Sequence, residues 1–250
     1  MTNPTAVEMS NNTILMTGGA SGIGLALAKR YAAAGSQVII CGRREEQLAL
    51  AKKETPSLQT LRADVSTVAG REQLAREATT KYPKLNTLIN NAGIQNRPPP
   101  LTQTHAWAPH EVELETNLHA PMHLSMLLLP HLLQQKTAAI MNVSSGLAFS
   151  PIALMATYCL TKAALHSFTL SLRHQLKGTS VRVVEIIPPM VQTDLGGQGL
   201  HGQGAPLDAF ADHAFAQIAR GELEFGFGFS EKSRLASRPE LDGLFAAMNN

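Results

Sequence analysis

Six short apolar runs are spaced along the chain with amphipathic stretches between them. They are "TILM" (13–16), "QVIICG" (37–42), "LQTLRADV" (58–65), "LNTLINNAG" (85–93), "AAIMNVSS" (138–145) and "VRVVEIIPP" (181–189). Their length and their β-branched and aliphatic content predict strands. Five intervening stretches predict helices: "LALAKRYAAAG" (25–35), "REEQLALAKKE" (44–54), "REQLAREATTKY" (71–82), "HAPMHLSMLLLPHLLQQ" (119–135) and "YCLTKAALHSFTLSLRHQL" (158–176). Gly35 stops the first of them. The strand runs are apolar almost throughout, so both faces of their sheet are covered. Strand and helix alternate in a pattern that predicts an α/β fold: a doubly wound parallel sheet with helices on both faces, a three-layer sandwich.

The long helices over 118–135 and 158–176 are apolar on more than one side: Met122, Met126 and Leu129 on the first, Leu165, Phe168 and Leu172 on the second. A helix apolar all round needs cover on both sides, and a second copy related by two-fold symmetry is expected to supply it. "EFGFGFS" (224–230) reads as a short strand and turn at a subunit contact, and Trp107 as core or loop packing.

Composition narrows the function. The 250 residues carry a formal net charge of +2, which offers nothing to nucleic acid or an anionic membrane surface. No apolar run approaches a membrane span, and the polar start "MTNPTAVEMSNN" does not read as a signal peptide. Cys41 and Cys159 fall in apolar segments and are expected to be buried and reduced, consistent with a cytoplasmic protein.

The first strand runs into "TGGASGIG" (17–24), and a helix follows. Gly18, Gly22 and Gly24, with Ser21 and Ile23 between them, let the backbone approach a pyrophosphate at a helix N-terminus. The strand–turn–helix context makes this a dinucleotide site. At the end of the second strand such a site places an acid when it reads a free ribose 2′-hydroxyl. Here Arg43 and Arg44 follow Gly42. A guanidinium grips a 2′-phosphate, so NADP(H) is expected over NAD(H).

Tyr158 and Lys162 stand four apart, on one face of a helix. A free phenol titrates near ~10, and a neighbouring ammonium is expected to lower it toward useful acid–base range. Ser145 ends the fifth predicted strand, where open α/β sheets place ligand groups, with Ser144 beside it as an alternative. Asn117 interrupts or opens a long helix with an amide suited to anchoring a relay water.

These motifs, in this order, resemble the short-chain dehydrogenase/reductase family: "TGGASGIG", "ADV", "NNAG", an isolated Asn, "NVSS", "YCLTK" and a Pro-containing strand end, over about residues 12–195. More narrowly, "SSGLAFSP" and "PPMVQTDL" resemble its bacterial DltE-like branch. The resemblance implies a Rossmann-type fold of about seven parallel strands, forming one dinucleotide-binding and catalytic domain over 1–250. Within it, 1–11 is expected to be a flexible N-terminus, 193–212 a glycine-rich substrate lid and 213–250 a C-terminal extension. It also implies a catalytic tetrad of Asn117, Ser145, Tyr158 and Lys162, with Lys162 also on a ribose hydroxyl. Asp64 and Val65 would meet the adenine. Asn91, Ala92, Gly93, Pro188, Val191 and Thr193 would lie along the cofactor. The implied activity is reduction of a small-molecule carbonyl, or the reverse, in a homodimer or homotetramer.

Two positions depart from the family. Pro189 stands where many members have glycine, and Ser21 where many NADP-using members have a basic residue. A non-catalytic dinucleotide sensor on the same fold is the rival reading, which an intact tetrad disfavours. His119, His123 and His131 share a predicted helix, but no carboxylate or cysteine is paired with them, and no metal is expected.

Overall fold

The computed structural model describes residues 8–100, 102–104 and 106–250. Part of the expected flexible N-terminus, residues 1–7, lies outside the described residues. Residues 8–12 are tied down: Ser36 Oγ donates to Met9 O at 2.8 Å and Asn12 Nδ2 to Glu8 O at 2.7 Å.

All six predicted strands form. They are β1 (Thr13–Thr17), β2 (Gln37–Gly42), β3 (Gln59–Arg62), β4 (Thr87–Asn90), β5 (Ala138–Val143) and β6 (Val181–Ile187). A seventh, β7 (Glu224–Gly226), adds parallel to β6, with Ile186 opposite Phe225. "EFGFGFS" therefore forms the short strand at the sheet's edge and the turn after it. The order is β3-β2-β1-β4-β5-β6-β7, all parallel. The chain reverses its direction of winding between β1 and β4. Ligands of such sheets bind there, beyond the carboxyl ends of the strands.

The helices are α1 (Gly22–Ala33), α2 (Glu45–Glu54), α3 (Val68–Lys81), α4 (Ala108–Leu114), α5 (Ala120–Leu132), α6 (Ala156–Gln175), α7 (Leu207–Arg220), α8 (Phe229–Leu235) and α9 (Arg238–Asn249). Alternate strand residues feed two cores. Ile14, Met16 and Ile40 pack with Leu27 and Tyr31 of α1, Leu48 of α2 and Phe210 of α7. Leu15, Ile39 and Leu88 pack with Leu74 of α3, Leu124 and Leu128 of α5 and Leu172 of α6. This is the three-layer Rossmann-type sandwich.

Several expectations shift. Leu165 and Leu172 are buried against the sheet, while Met126, Leu160 and Leu170 are the exposed apolar side chains of the two long helices. Trp107 is 64% exposed and stacks on His110, so it is not core. The glycine-rich segment ends at Pro206 because α7 begins at Leu207, so the boundary at 212/213 falls inside a helix. Cys41 and Cys159 are free and buried, and burial pushes the Cys41 thiol up to about 12.

Candidate active site

Thr17 ends β1 and the chain turns through Gly18, at φ +64°, to Gly22, at φ +52°. Other residues adopt that region only with strain. A Cβ at Gly18 would lie 2.8 Å from Ala92 Cα, so the turn is pressed against the end of β4. The fit is locked by hydrogen bonds. Thr17 Oγ1 accepts from the N–H groups of Asn91 and Ala92 at 3.1 and 3.0 Å. Asn91 Nδ2 donates to the carbonyls of Thr17 and Gly18 at 3.1 and 3.0 Å. "TGGASGIG" and "NNAG" are thus one structural unit. The N-cap residue, Ser21, makes no side-chain capping bond, so the first N–H groups of α1 open onto the cavity above the turn. Gly18, Ser21, Gly22 and Ile23 line that cavity and Gly24 packs behind them, too close to Gly18 and Asn91 to carry a side chain. A phosphate fits this cradle.

Arg43, Arg44, Asp64 and Val65 line the same cavity. Arg43 is half exposed and lies 3.9 Å from the Asp64 carboxylate, too long for a strong pair. Asp64 is committed to the turn after β3, accepting from Ser66 N at 3.0 Å and Ser66 Oγ at 2.7 Å. The guanidinium of Arg43 is free to turn to a ligand.

The chemical end lies across the sheet. Tyr158 and Lys162 are both buried on the first turns of α6. Lys162 Nζ donates to Val143 O at 2.9 Å and sits 5.6 Å from the centre of the Tyr158 ring. Ser145 follows β5 and accepts from Leu147 N at 3.2 Å. Ser144 donates instead to the fully buried Glu185 at 2.6 Å, which leaves Ser145 as the hydroxyl hydrogen-bonded with Tyr158.

The electrostatics differ from the expectation for Tyr158. Burial pushes its phenol above the ordinary value, and the Ser145 hydrogen bond only partly opposes it. Burial also pulls Lys162 down to about 8, against the attraction of Glu113 and Glu185. Burial thus opposes the charged form of both side chains, and at Tyr158 it prevails in the protein alone.

Asn117 lies in a π-helical turn, Glu115–His119, between α4 and α5. Its amide clamps Ile94 from both ends, accepting from Ile94 N at 2.9 Å and donating to Ile94 O at 2.8 Å. The side chain therefore fixes the segment after β4. One turn earlier Glu113, fully buried, accepts from Asn96 N at 3.0 Å. Glu113 and the wall 94–97 escaped the sequence reading. The i, i+4 spacing of Glu113 and Asn117 was the available signal.

The remaining expected residues also fall on the cavity: Asn91, Ala92, Gly93, Pro188, Val191 and Thr193. Pro188 O accepts from Gly146 N at 3.0 Å, and Val191 bridges Ala205 at the base of the glycine-rich loop. Phe229 and Met248, from the C-terminal helices, close a wall that the sequence did not reveal. The whole cavity is about 1940 Å³, beyond the roughly 300–1,000 Å³ of a drug-sized ligand's pocket. Contrary to expectation a carboxylate is paired with one of the three histidines: His119 bonds Glu115, Glu115 also accepts from Arg71, Arg71 donates to His123, and His131 bonds Leu85 O.

A parallel sheet in this order, with a glycine cradle at its switch point and a Ser–Tyr–Lys cluster facing it, defines a class. The short chain dehydrogenase family profile matches residues 12–203, and the chain belongs to that family. It is an NAD(P)-dependent oxidoreductase. It is 46% identical over 248 residues, 97% of this chain and 98% of the other, to the oxidoreductase DltE of Bacillus subtilis (strain 168). Among solved structures, a 3-ketoacyl-(acyl-carrier-protein) reductase from Brucella melitensis, complexed with NADH, matches with TM-score 0.81 and 25% identity, covering 89% of this chain and 99% of that one. A short-chain dehydrogenase from Sphingobium yanoikuyae, in complex with NADPH, matches with TM-score 0.78 and 25% identity, covering 94% and 93%. Among the described residues no helix is long and apolar enough to cross a membrane.

Proposed function

We propose that this chain interconverts a carbonyl and an alcohol, with NADP(H) preferred over NAD(H) and Tyr158 as the acid–base group. The observation that carries this reading is the convergence of Ser145, Tyr158 and Lys162 on one cavity whose far end holds the glycine cradle and Arg43. The bound dinucleotide supplies or takes the hydride. Ser145 holds the carbonyl oxygen through its hydroxyl. Tyr158 gives that oxygen a proton in reduction and takes it back in oxidation. Lys162 holds the ribose and keeps positive charge near the phenol. Asn117 and Glu113 hold the wall that positions the substrate. The loop 193–206, with Gly196, Gly197 and Gly199 at positive φ, supplies the lid. Asp64 and Val65 hold the adenine, and Arg43, joined by Arg44, holds the 2′-phosphate. The enzyme works in the cytoplasm on a small molecule, without nucleic acid or membrane.

A screen of aldehydes, ketones and alcohols following NADPH absorbance tests the activity. It is expected to find a substrate, and a screen with no turnover in either direction removes the reading. The cofactor assignment has its own test. Arg43→Ala loses a charge-assisted contact worth about 1.5–3 kcal/mol. NADPH is expected to bind ten- to hundredfold more weakly, with a far smaller change for NADH. Equal weakening of both in calorimetric titration, or a wild-type preference for NADH, rejects the assignment.

The exposed Met126, Leu160 and Leu170 support self-association through α5 and α6. Light scattering at micromolar concentration is expected to give the mass of a dimer or tetramer, and a monomeric mass counts against it.

A further inference from the structure

The charged side chains lining the cavity are few, and most have a place. Arg43, Arg44 and Asp64 stand at the adenosine end and Lys162 beneath Tyr158. Asp194 follows Thr193, whose side chain lies against Gly22, so it belongs to the phosphate end. Arg97 remains. It lines the cavity, is exposed, and makes no ion pair among the described residues. Its backbone is not loose. Ile94 is clamped by Asn117, Asn96 N is held by Glu113, and Asn96 Nδ2 donates to Pro109 O at 2.7 Å.

Two buried polar side chains line the same end with open hydrogen-bonding capacity. His201, on the glycine-rich loop, is 7% exposed, and its Nδ1 has no partner. Gln95 is also 7% exposed, and its Oε1 has no partner. Gln95 lies against the loop: a Cβ at Gly196 would stand 3.0 Å from its backbone carbonyl oxygen and 3.3 Å from its Oε1. Burial, and after it the charge of Arg97, pull His201 below the ordinary imidazole value. The guanidinium is thus near enough to be felt by a buried, neutral imidazole.

An unpaired guanidinium beside two buried polar groups lacks one thing, an anionic acceptor. We propose that Arg97, His201 and Gln95 form a subsite for a carboxylate or sulfonate on the substrate, so that the carbonyl presented to Tyr158 belongs to an anionic molecule such as an oxo acid. This rests on the carbonyl–alcohol reading above. The planar fork of Arg97 takes two oxygens. Neutral His201 supplies one N–H, and the Gln95 amide can turn its NH₂ end to the same group.

Two arms test it. In the first, kcat/KM is measured for 4-oxobutanoate and for its methyl ester. The wild type is expected to prefer the acid at least tenfold, and Arg97→Met to lower that ratio by ten- to hundredfold, with Arg97→Lys between them. Equal use of acid and ester by the wild type overturns the subsite, as does an unchanged ratio in Arg97→Met. The second arm needs no turnover. With NADP⁺ present, butanoate, propane-1-sulfonate and neutral butanamide are titrated calorimetrically. One or both anions are expected to bind, in a manner lost in Arg97→Met, and which of them binds separates carboxylate from sulfonate. Anion binding that depends on Arg97 without turnover of any carbonyl keeps the subsite and removes the carbonyl–alcohol reading. Turnover of the ester, with no anion bound and no preference for the acid, does the reverse.

Discussion

Tyr158→Phe is expected to lower kcat by about 10²–10⁴, the range that a lost general acid or base commands. Only the hydroxyl is deleted. The ring is 6% exposed and keeps its packing, so thermal stability and NADPH affinity should stay near wild type. The loss should therefore fall on kcat, with KM for the cofactor nearly unmoved. The raised phenol value sets a direction for pH as well. A phenol that holds its proton through neutral pH is ready to donate, so the reduction rate should be flat there and fall only in alkali. Oxidation needs the phenolate and should climb with pH over the same range. Opposite pH trends in the two directions, both abolished in the Phe variant, are the signature to measure. A Phe variant with near-wild-type turnover sinks the assignment.

The parts of the site that were legible in the sequence are those with rigid local geometry. A glycine cradle needs a strand before it and a helix after it, and both are apparent around residues 17–24. Tyr158 and Lys162 share a helix face by their spacing, and Ser145, thirteen residues earlier at a strand's carboxyl end, gives that spacing its meaning. What stayed hidden depends on how elements pack. Leu165 and Leu172 look like a spare apolar face until α6 is laid on the sheet, and then they are core. β7 has three residues, too short for a period, and gains its meaning only from pairing with β6. Arg97 and His201 lie 104 positions apart in sequence and line one cavity because one wall is pinned by Asn117 and Glu113 while the other closes at the Val191–Ala205 bridge. The sign for Tyr158 was misread for a related reason. Sequence spacing reports a neighbouring ammonium, whereas burial, which outweighs it here, is a property of the fold.

The same burial makes Lys162 costly, and this yields the second large effect. Its value falls from 10.5 to about 8, a shift equivalent to roughly 3 kcal/mol. The folded value lies below the unfolded one, so the folded state binds the proton less tightly than the unfolded chain does. Below pH 8 the full penalty applies, and between 8 and 10.5 it is progressively relieved. Lys162→Met removes the charge and keeps the apolar length. It also takes the Lys162 donor away from the buried Val143 carbonyl, at a cost of about 1–3 kcal/mol. The variant is therefore expected to be more stable than wild type at pH 7, by up to about 2 kcal/mol or several degrees in melting temperature. It should also bind NADPH more weakly and turn over far more slowly. The stability gap should close as pH rises toward 10, which thermal melts at successive pH values will show. A Met variant less stable than wild type at pH 7, or a gap indifferent to pH, would mean that the ammonium is well accommodated in the free protein. A variant that gains stability and loses turnover together would show that the fold carries a buried cation at a cost because its site needs one, with strain of that kind held where the chemistry is done.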